Sequence, residues 1–173
     1  MAIKRYAASA DNTISNGFRE GLTIRATGSN MGQADVSEIY SIYGRQSTSS
    51  AELSRVLSTF DIDSISSDRT AGIIPESGSV DFYVRLFNAE TTRTVPKNFT
   101  IVAQAISKSW SEGDGLDLEN YKDLGTSNWI SASKSTAWET QGGDYHTSKS
   151  GSQQEYTYDQ HFGSGLEDLS LDI

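Results

Sequence analysis

The chain has no cysteine, only two prolines and no long apolar run. Without cysteine, neither a disulfide nor a thiolate metal site can stabilise the fold. A membrane-spanning helix needs about 18 or more consecutive apolar residues, and no such stretch occurs. At 173 residues the sequence predicts a single domain with one packed core and no membrane-spanning helix.

Positive charge is scarce in one part of the chain. Residues 1–109 contain 11 basic and 11 acidic residues, whereas residues 110–173 contain 3 basic and 12 acidic residues, so the second part carries the whole net charge of −9. An acidic surface repels phosphate backbones, and nucleic acid is therefore excluded as an expected partner.

The sequence also lacks the short motifs by which several enzyme classes position phosphates, nucleophiles or zinc. A G-x-x-x-x-G-K-[ST] loop, a G-x-S-x-G elbow and an H-E-x-x-H helix are all missing. Serine is abundant, but a serine becomes a nucleophile only beside a suitably placed base. We therefore predict that the protein is not an enzyme and has no catalytic residues or required cofactor.

What is present is a pattern of alternation that indicates strands. In residues 79–88 one set of alternate positions is apolar, namely Val80, Phe82, Val84 and Leu86. Because side chains alternate across a strand, this set is expected to face a core. Residues 51–62 fit either a helix or a strand, and we favour the strand. Residues 36–44, 156–162 and 169–173 predict further strands, and the flatter pattern of 99–106 predicts one buried on both faces.

These segments predict an all-β fold, a sandwich with long loops rich in glycine and tryptophan. Residues 1–35 show no sustained period and contain turn signals, so they are predicted to form an extended arm that anchors the protein in an assembly. Residues 36–173 are predicted to form the sandwich. Because the chain stops inside the alternating run 169–173, we expect the sandwich to be truncated at its C-terminal end.

All three tryptophans lie in a polar, glycine-rich stretch, and they allow two interpretations. Together with Tyr145, the side chains of Trp110, Trp129 and Trp138 could form a platform on which sugar rings stack. Alternatively, each tryptophan pins a loop to the sandwich while its indole N–H donates to the backbone. These four residues are the candidate ligand-binding residues.

Acidic residues concentrate around the glycines of the same stretch. The cluster consists of Glu112, Asp114, Asp117, Glu119 and Asp123. Calcium takes six to eight oxygen ligands, which acidic, glycine-rich loops can supply. Asp114, Asp117 and Glu119 are therefore candidate calcium ligands, although their order is not that of an EF-hand. The alternative is a solvated loop with local Asx turns. No other metal site is predicted.

Several short segments carry a resemblance to known families. They are residues 54–61, Trp110-x-Glu112-Gly113-x-Gly115, Asn128-Trp129, Trp138-x-Thr140-x-Gly142-Gly143-Asp144-Tyr145 and the closing residues 169–173. In this order they resemble the DNRLRE-type β-sandwich (jelly-roll) modules of adhesive and polysaccharide-associated proteins. With residues 10–14 and 25–32 added, the chain is similar to virion structural proteins of tailed phages, especially the T4-like phages of marine cyanobacteria.

The resemblance implies a non-enzymatic structural protein of a phage virion, assembled in the host cytoplasm. Its implied place is a tail or neck fibre or appendage adaptor anchored by residues 1–35, or a head decoration. Its implied partners are other virion proteins and further copies of the chain. The alternative is a carbohydrate-binding adhesin that contacts host polysaccharide through the tryptophan-rich loops.

Overall fold

The computed structural model describes residues 3–43, 51–92, 95–120, 122–146, 156–161 and 167–173. Strands account for 32% and helix for 6% of these residues, so the protein is a small all-β fold, as the sequence predicted. The chain divides into two compact units. Unit 1 comprises Met1–Ile62 and Ile106–Asp144, and unit 2 comprises Asp63–Ala105 and Tyr145–Ile173.

Unit 1 is built on an antiparallel sheet of three strands in the order β1 (Ala8–Ser15), β3 (Ala51–Phe60), β2 (Ser41–Tyr43). The strand predicted at residues 51–62 is confirmed as β3, and it lies in the middle of the sheet. The strand predicted from residue 36 begins only at Ser41, and Gly44, its predicted end, lies outside the described residues.

The core of unit 1 combines the sheet with the tryptophan-rich loops. Its buried members are Ile14, Leu57, Trp129, Ala132 and Trp138, and Leu53, Ile106 and Trp110 pack against them while partly buried. A short hairpin of β6 (Ser131–Ser133) and β7 (Thr136–Ala137) carries Ala132 into this core. The two fully packed indoles give a short sheet enough apolar surface to bury.

The second half of strand β1 is buried on both faces, which differs from the predicted arm. Asn12, Thr13, Ile14 and Ser15 are all fully inaccessible to solvent. A strand segment covered on both sides need not alternate, so its sequence shows no period of two. Residues 12–15 therefore belong to the interior of unit 1, whereas Ala8 and Ser9 are exposed. The predicted boundary at residue 35 falls inside that unit.

Unit 2 contains two antiparallel pairs. They are β4 (Tyr83–Leu86) with β9 (Leu169–Asp172), and β5 (Asn98–Ala103) with β8 (Tyr156–His161). The alternation predicted for residues 79–88 is confirmed, since Val84 and Leu86 are half-buried while Tyr83 and Arg85 are exposed. The prediction that residues 99–106 are buried on both faces is wrong, because Val102 is exposed. Phe162 lies outside the described residues.

Residues 62–70 form a helix, α1 (Ile62–Thr70), although their polar composition is typical of a loop. Asp63 in its first turn and Arg69 in its last turn complement the helix dipole. Gly72 ends it at a φ of 70°, and the bonds Gly72 N to Arg69 O and Ile73 N to Asp68 O form a Schellman motif. Among the described residues, no helix combines the length and the apolar character needed to cross a membrane.

Replacing Ile14 with alanine tests whether the N-terminal segment belongs to the core. Ile14 is 0% exposed, whereas Ile3 is 79% exposed. We expect Ile14→Ala to lower the free energy of unfolding by about 2–5 kcal/mol, the usual cost of emptying a core position. Ile3→Ala, the matched control, should leave it unchanged within about 0.5 kcal/mol. Urea unfolding measures both, and equal effects would mean that residues 8–15 do not pack as described.

Candidate functional site

The loops that follow β1 and β5 meet around the side-chain amide of Asn30, which is fully buried. Its Oδ1 accepts hydrogen bonds from the backbone N–H groups of Gly115, at 2.9 Å, and Gly32, at 3.2 Å. Its Nδ2 donates to Asp123 Oδ2, at 2.9 Å, and Thr126 Oγ1, at 3.1 Å. An amide has two donors and two acceptor positions, so the hydrogen-bonding capacity of Asn30 is fully used.

Three glycines allow the backbone to approach this amide. A Cβ atom on Gly113 would lie 2.0 Å from Asn30 Oδ1, and one on Gly115 would lie 2.1 Å from the Asn30 carbonyl oxygen. A Cβ atom on Gly32 would lie 2.3 Å from the Gly113 carbonyl oxygen. No side chain fits at these distances. The Trp110-x-Glu112-Gly113-x-Gly115 pattern is thus explained by close packing of backbone on Asn30.

A second buried amide, that of Asn12, ties strand β1 to the same loops. Asn12 Oδ1 accepts from the Met31 backbone N–H at 3.0 Å. Its Nδ2 donates to the carbonyl oxygen and the hydroxyl of Ser127, at 3.1 and 2.8 Å. The loops that contain Met31 and Ser127 both bind the Asn12 side chain. Because Asn12 lies on β1, the sheet fixes the position of both loops.

The third amide, that of Asn128, organises the turn before the β6–β7 hairpin. Its Oδ1 accepts from the backbone N–H groups of Ile130 and Ser131, each at 2.9 Å, and its Nδ2 donates to the Asp123 carbonyl at 2.9 Å. The Asn128 carbonyl oxygen accepts from the indole Nε1 of Trp138 at 2.8 Å. The turn is therefore closed by the Asn128 side chain together with one backbone hydrogen bond, from the Asn128 N–H to the Ser131 carbonyl oxygen at 2.9 Å.

The tryptophans do not form the predicted stacking platform. Trp129 and Trp138 are each only 5% exposed, so neither offers a face to a sugar ring. Trp110 is half-buried against their cluster. Tyr145 belongs to unit 2. Trp138 follows the alternative interpretation, in which an indole pins a loop and its N–H bonds to the backbone.

One arginine completes the enclosure of Trp129. The guanidinium of Arg55, on β3, lies 5.1 Å from the centre of the Trp129 ring and donates to the Gly142 carbonyl at 2.7 Å. Gly142 has a φ of 92°, and a Cβ atom there would approach the Trp129 ring to 2.8 Å. Gly142 is therefore required by both conformation and space, and Gly143, at a φ of 114°, is required by conformation alone.

The candidate calcium ligands hold backbone amides instead of converging on a centre. Asp117 Oδ1 accepts from the N–H groups of Glu119 and Asn120, at 2.8 and 2.6 Å. Glu119 Oε2 accepts from the Glu20 N–H at 2.8 Å. Asp114 is exposed. Within the part of the chain that the structure describes, no three metal-ligating side chains come together. The local-turn interpretation fits these contacts, and calcium binding stays a prediction.

Asp123 is a partly buried carboxylate within the loops. Burial alone would raise its pKa, but hydrogen bonds to its charged form, from the Asp114 N–H at 2.8 Å, the Thr126 hydroxyl and the Asn30 amide, hold the pKa below its usual value. Asp123 therefore acts as a fixed negative charge that joins residues 113–115 to residues 125–128.

A second embedded carboxylate, Asp144, closes the turn after Trp138. Its oxygens accept from the backbone N–H groups of Glu139, at 3.0 Å, and Thr140, at 2.8 Å, and Oδ2 lies 2.6 Å from Lys108 Nζ. Burial acts to raise the pKa of Asp144, but these hydrogen bonds and the charge of Lys108 outweigh it and lower the pKa to about 2.

Inference from the sequence missed the three asparagines. Their signal was present only indirectly, as Asn30 between Gly28 and Gly32 and as Asn128 beside Trp129. Asparagine is common in exposed turns, so its type alone does not distinguish a buried amide from a solvated one.

Alanine at Gly115 tests the close approach to Asn30. Overpacking typically costs about 1–3 kcal/mol, and we expect Gly115→Ala to reach at least the upper end, because the new methyl group would meet rigid backbone. Gly125→Ala is the matched control, since a Cβ atom there would be 3.5 Å from Asp123 Oδ1, an ordinary contact. Urea unfolding midpoints compare the two. Indistinguishable midpoints would contradict the packing.

Replacing Asp144 with asparagine tests the charged turn. Because the folded pKa of about 2 lies below the unfolded value of 3.8, ionised Asp144 stabilises the folded state at neutral pH, and this contribution is lost as the pH falls toward 2. Asp144→Asn should therefore be less stable than the parent at pH 7, by roughly 1.5–3 kcal/mol. The difference should shrink between about pH 5 and about pH 2. A difference that is independent of pH would refute the assignment.

Comparison with known proteins adds no relative. No protein family matches the chain, and no curated protein and no solved structure matches it. The resemblances carried by its short motifs therefore stay predictions. The contacts within each unit are the observations on which a functional proposal can rest.

Proposed function

We propose that the protein is a non-enzymatic structural component of a tailed-phage virion. Its place is a tail or neck fibre or appendage adaptor, or a decoration on the head, where it contacts other virion proteins and further copies of itself. In this proposal the fold is of the jelly-roll type of β-sandwich. The virion assignment draws on the sequence resemblance, and the following contacts support a structural role.

The observation that carries the structural role is the use made of the polar side chains. The amides of Asn12, Asn30 and Asn128 and the carboxylates of Asp123 and Asp144 all bind backbone groups of the same chain. Side chains used in this way fix the shape of loops and are not free to bind a substrate. Rigid, ordered loops suit a protein that presents a fixed surface to neighbouring subunits.

Anchoring takes a different form from the one expected of a free arm. Residues 12–15 are part of the core, and Asn30 holds the later loops, so residues 8–32 cannot detach without opening unit 1. We therefore assign attachment to the surface of folded unit 1. A deletion of residues 2–35 would remove β1 and unfold the unit. Loss of the deleted protein from virions would therefore reflect unfolding as well as lost anchoring.

The adhesin alternative loses its main support. It relied on exposed tryptophan faces, and Trp129 and Trp138 are core residues. Trp110 is half-buried, which leaves at most one partly accessible indole in unit 1. Sugar-binding platforms need broad accessible rings, so the described geometry does not favour this function.

Quantitative mass spectrometry of gradient-banded particles tests the proposal. The protein should band with intact virions and remain after a high-salt wash, at a copy number in constant ratio to a known virion protein. A soluble phage enzyme from the same lysate, which should be lost during banding, is the control. Recovery of the protein only in the unbanded fraction would refute the virion assignment.

A further inference from the structure

Asn16 and Gly17 form the only asparagine–glycine pair in the chain, and they directly follow strand β1. In flexible chain such a pair is chemically labile, because glycine leaves its own backbone nitrogen without steric cover. That nitrogen attacks the carbonyl carbon of the asparagine side chain, and ammonia leaves from the cyclic succinimide that forms. Water then opens the ring, so the asparagine becomes aspartate or isoaspartate.

The fold holds the attacking nitrogen in place. Gly17 is buried, and its N–H donates to Ser15 Oγ at 2.8 Å. Ser15 is itself 0% exposed, and its Oγ donates to the Leu53 carbonyl oxygen at 3.1 Å and contacts the Tyr40 hydroxyl. The attack requires the Gly17 nitrogen to lose its proton, and the proton is bonded to a hydroxyl that solvent does not reach. The first step is therefore blocked while this bond lasts.

The group that would be attacked is held by the neighbouring strand. Asn16 Oδ1 accepts from the Leu53 N–H of β3 at 2.7 Å, while the Asn16 N–H donates to the Leu53 carbonyl oxygen at 3.1 Å. The Asn16 main-chain carbonyl accepts from the Arg25 guanidinium. The side-chain amide thus takes part in the hydrogen bonding between the two strands. Ring closure needs Asn16 Cγ to turn back onto its own chain, which breaks the bond to Leu53.

Packing accounts for the presence of a glycine at this place. A Cβ atom on Gly17 would lie 2.6 Å from the Tyr40 hydroxyl oxygen and 3.2 Å from Ser15 Oγ. Tyr40 is fixed by Ser54, whose Oγ accepts from the Tyr40 N–H at 2.7 Å and whose N–H donates to the Tyr40 carbonyl at 3.0 Å. A larger residue would have to displace this tyrosine. The labile pair is therefore a consequence of how β1, β3 and Tyr40 pack.

Neither product of the reaction would fit as asparagine does. Asn16 Nδ2 lies 3.5 Å from the Ala51 carbonyl oxygen, so aspartate would bring two acceptors together there. Its new charge would also lie two residues from the Phe18 N–H, to which the buried carboxylate of Glu52 binds at 2.8 Å. Isoaspartate adds a carbon atom to the main chain, so the residues after it could not keep their partners.

We propose that Asn16 is a deamidation site whose reaction is controlled by opening of the adjoining end of the β1–β3 sheet. In folded unit 1 the bonds to Ser15 and Leu53 keep the reacting groups apart, and the reaction proceeds only when these bonds open. Because the products destabilise unit 1, the conversion turns a transient opening into a permanent loss of stability. This inference rests on contacts within unit 1 and does not depend on the virion assignment.

The chemistry needs no partner other than water. The bond from Gly17 N to Asn16 Cγ forms as the bond from Cγ to Nδ2 breaks, and the Gly17 amide proton leaves as part of the ammonia. Water then supplies a hydroxyl group to one of the two ring carbonyl carbons and returns a proton to the nitrogen. Which carbon is attacked decides between aspartate and isoaspartate.

Incubation of the folded protein beside a synthetic peptide of residues 13–20 tests the control by the fold. The peptide, with blocked termini, gives the rate for unprotected chain. Peptide mapping by mass spectrometry should show that Asn16 deamidates at least about tenfold more slowly in the folded protein. In concentrated urea the protein should react at the rate of the peptide. Equal rates in the folded protein and the peptide would overturn the proposal.

Removal of the Ser15 hydroxyl tests the bond to the attacking nitrogen. We expect Ser15→Ala to deamidate at least about threefold faster than the parent, because the Gly17 N–H loses its acceptor. Ser9→Ala is the matched control on the same strand, where an exposed Oγ donates to the Thr59 carbonyl, and its rate should equal that of the parent. If Ser15→Ala does not fold, Ile14→Ala replaces it and should also react faster, because its open population is larger. An unchanged rate in the variant used, or equal acceleration by Ser9→Ala, would contradict the proposal.

The stability of the product tests the permanent loss. Deamidation adds a negative charge, so anion-exchange chromatography separates the modified protein from the parent. The modified protein should have a lower Tm than the parent that was incubated with it, and Asn16→Asp should reproduce the decrease for the aspartate form. Identical Tm values for modified and parent protein would refute the destabilisation.

Discussion

The side-chain amides of Asn12, Asn30 and Asn128 are the constraint on which unit 1 depends. All three are fully buried. Asn12 and Asn30 exchange hydrogen bonds with backbone groups of loops that are distant in sequence, and Asn128 bonds to backbone groups of its own turn. A buried polar group that loses its partner costs free energy, so the loops cannot shift without breaking several such bonds together. The irregular part of the chain therefore shares the stability of the β1–β3 sheet.

This constraint explains features that would otherwise have separate causes. The glycines of the 113–115 segment allow backbone to reach Asn30, and the buried indoles of Trp129 and Trp138 fill the space between the sheet and the loops. The Asp123 carboxylate accepts hydrogen bonds from the Asn30 side-chain amide and from the Asp114 backbone N–H. The buried side chains of unit 1 thus hold the loops in place. A binding function therefore has to be sought on the outer surface of the loops.

The sequence predicts those strands that have one face buried and the other face exposed to solvent. Residues 80–87 alternate because one face of β4 is exposed, and their period of two was readable. The prediction of an arm over residues 1–35 misses β1, because its residues 12–15 are buried on both faces and mostly polar. Helix α1 carries little sequence signal, because it buries no residue and its clearest signal is the glycine at its end, Gly72. Trp110, Trp129 and Trp138 lie outside the strands, and which of their two predicted roles applies depends on tertiary packing.

Hydrogen–deuterium exchange at individual backbone amides tests the central claim most directly. The amides of Met31, Gly115 and Ser131 donate to Asn12, Asn30 and Asn128 respectively, although all three lie outside long strands. If the buried asparagines hold the loops, these amides should exchange as slowly as those of β3 at Val56 and Leu57, because both open only when unit 1 unfolds. Exchange at the rate of unstructured chain would contradict the account.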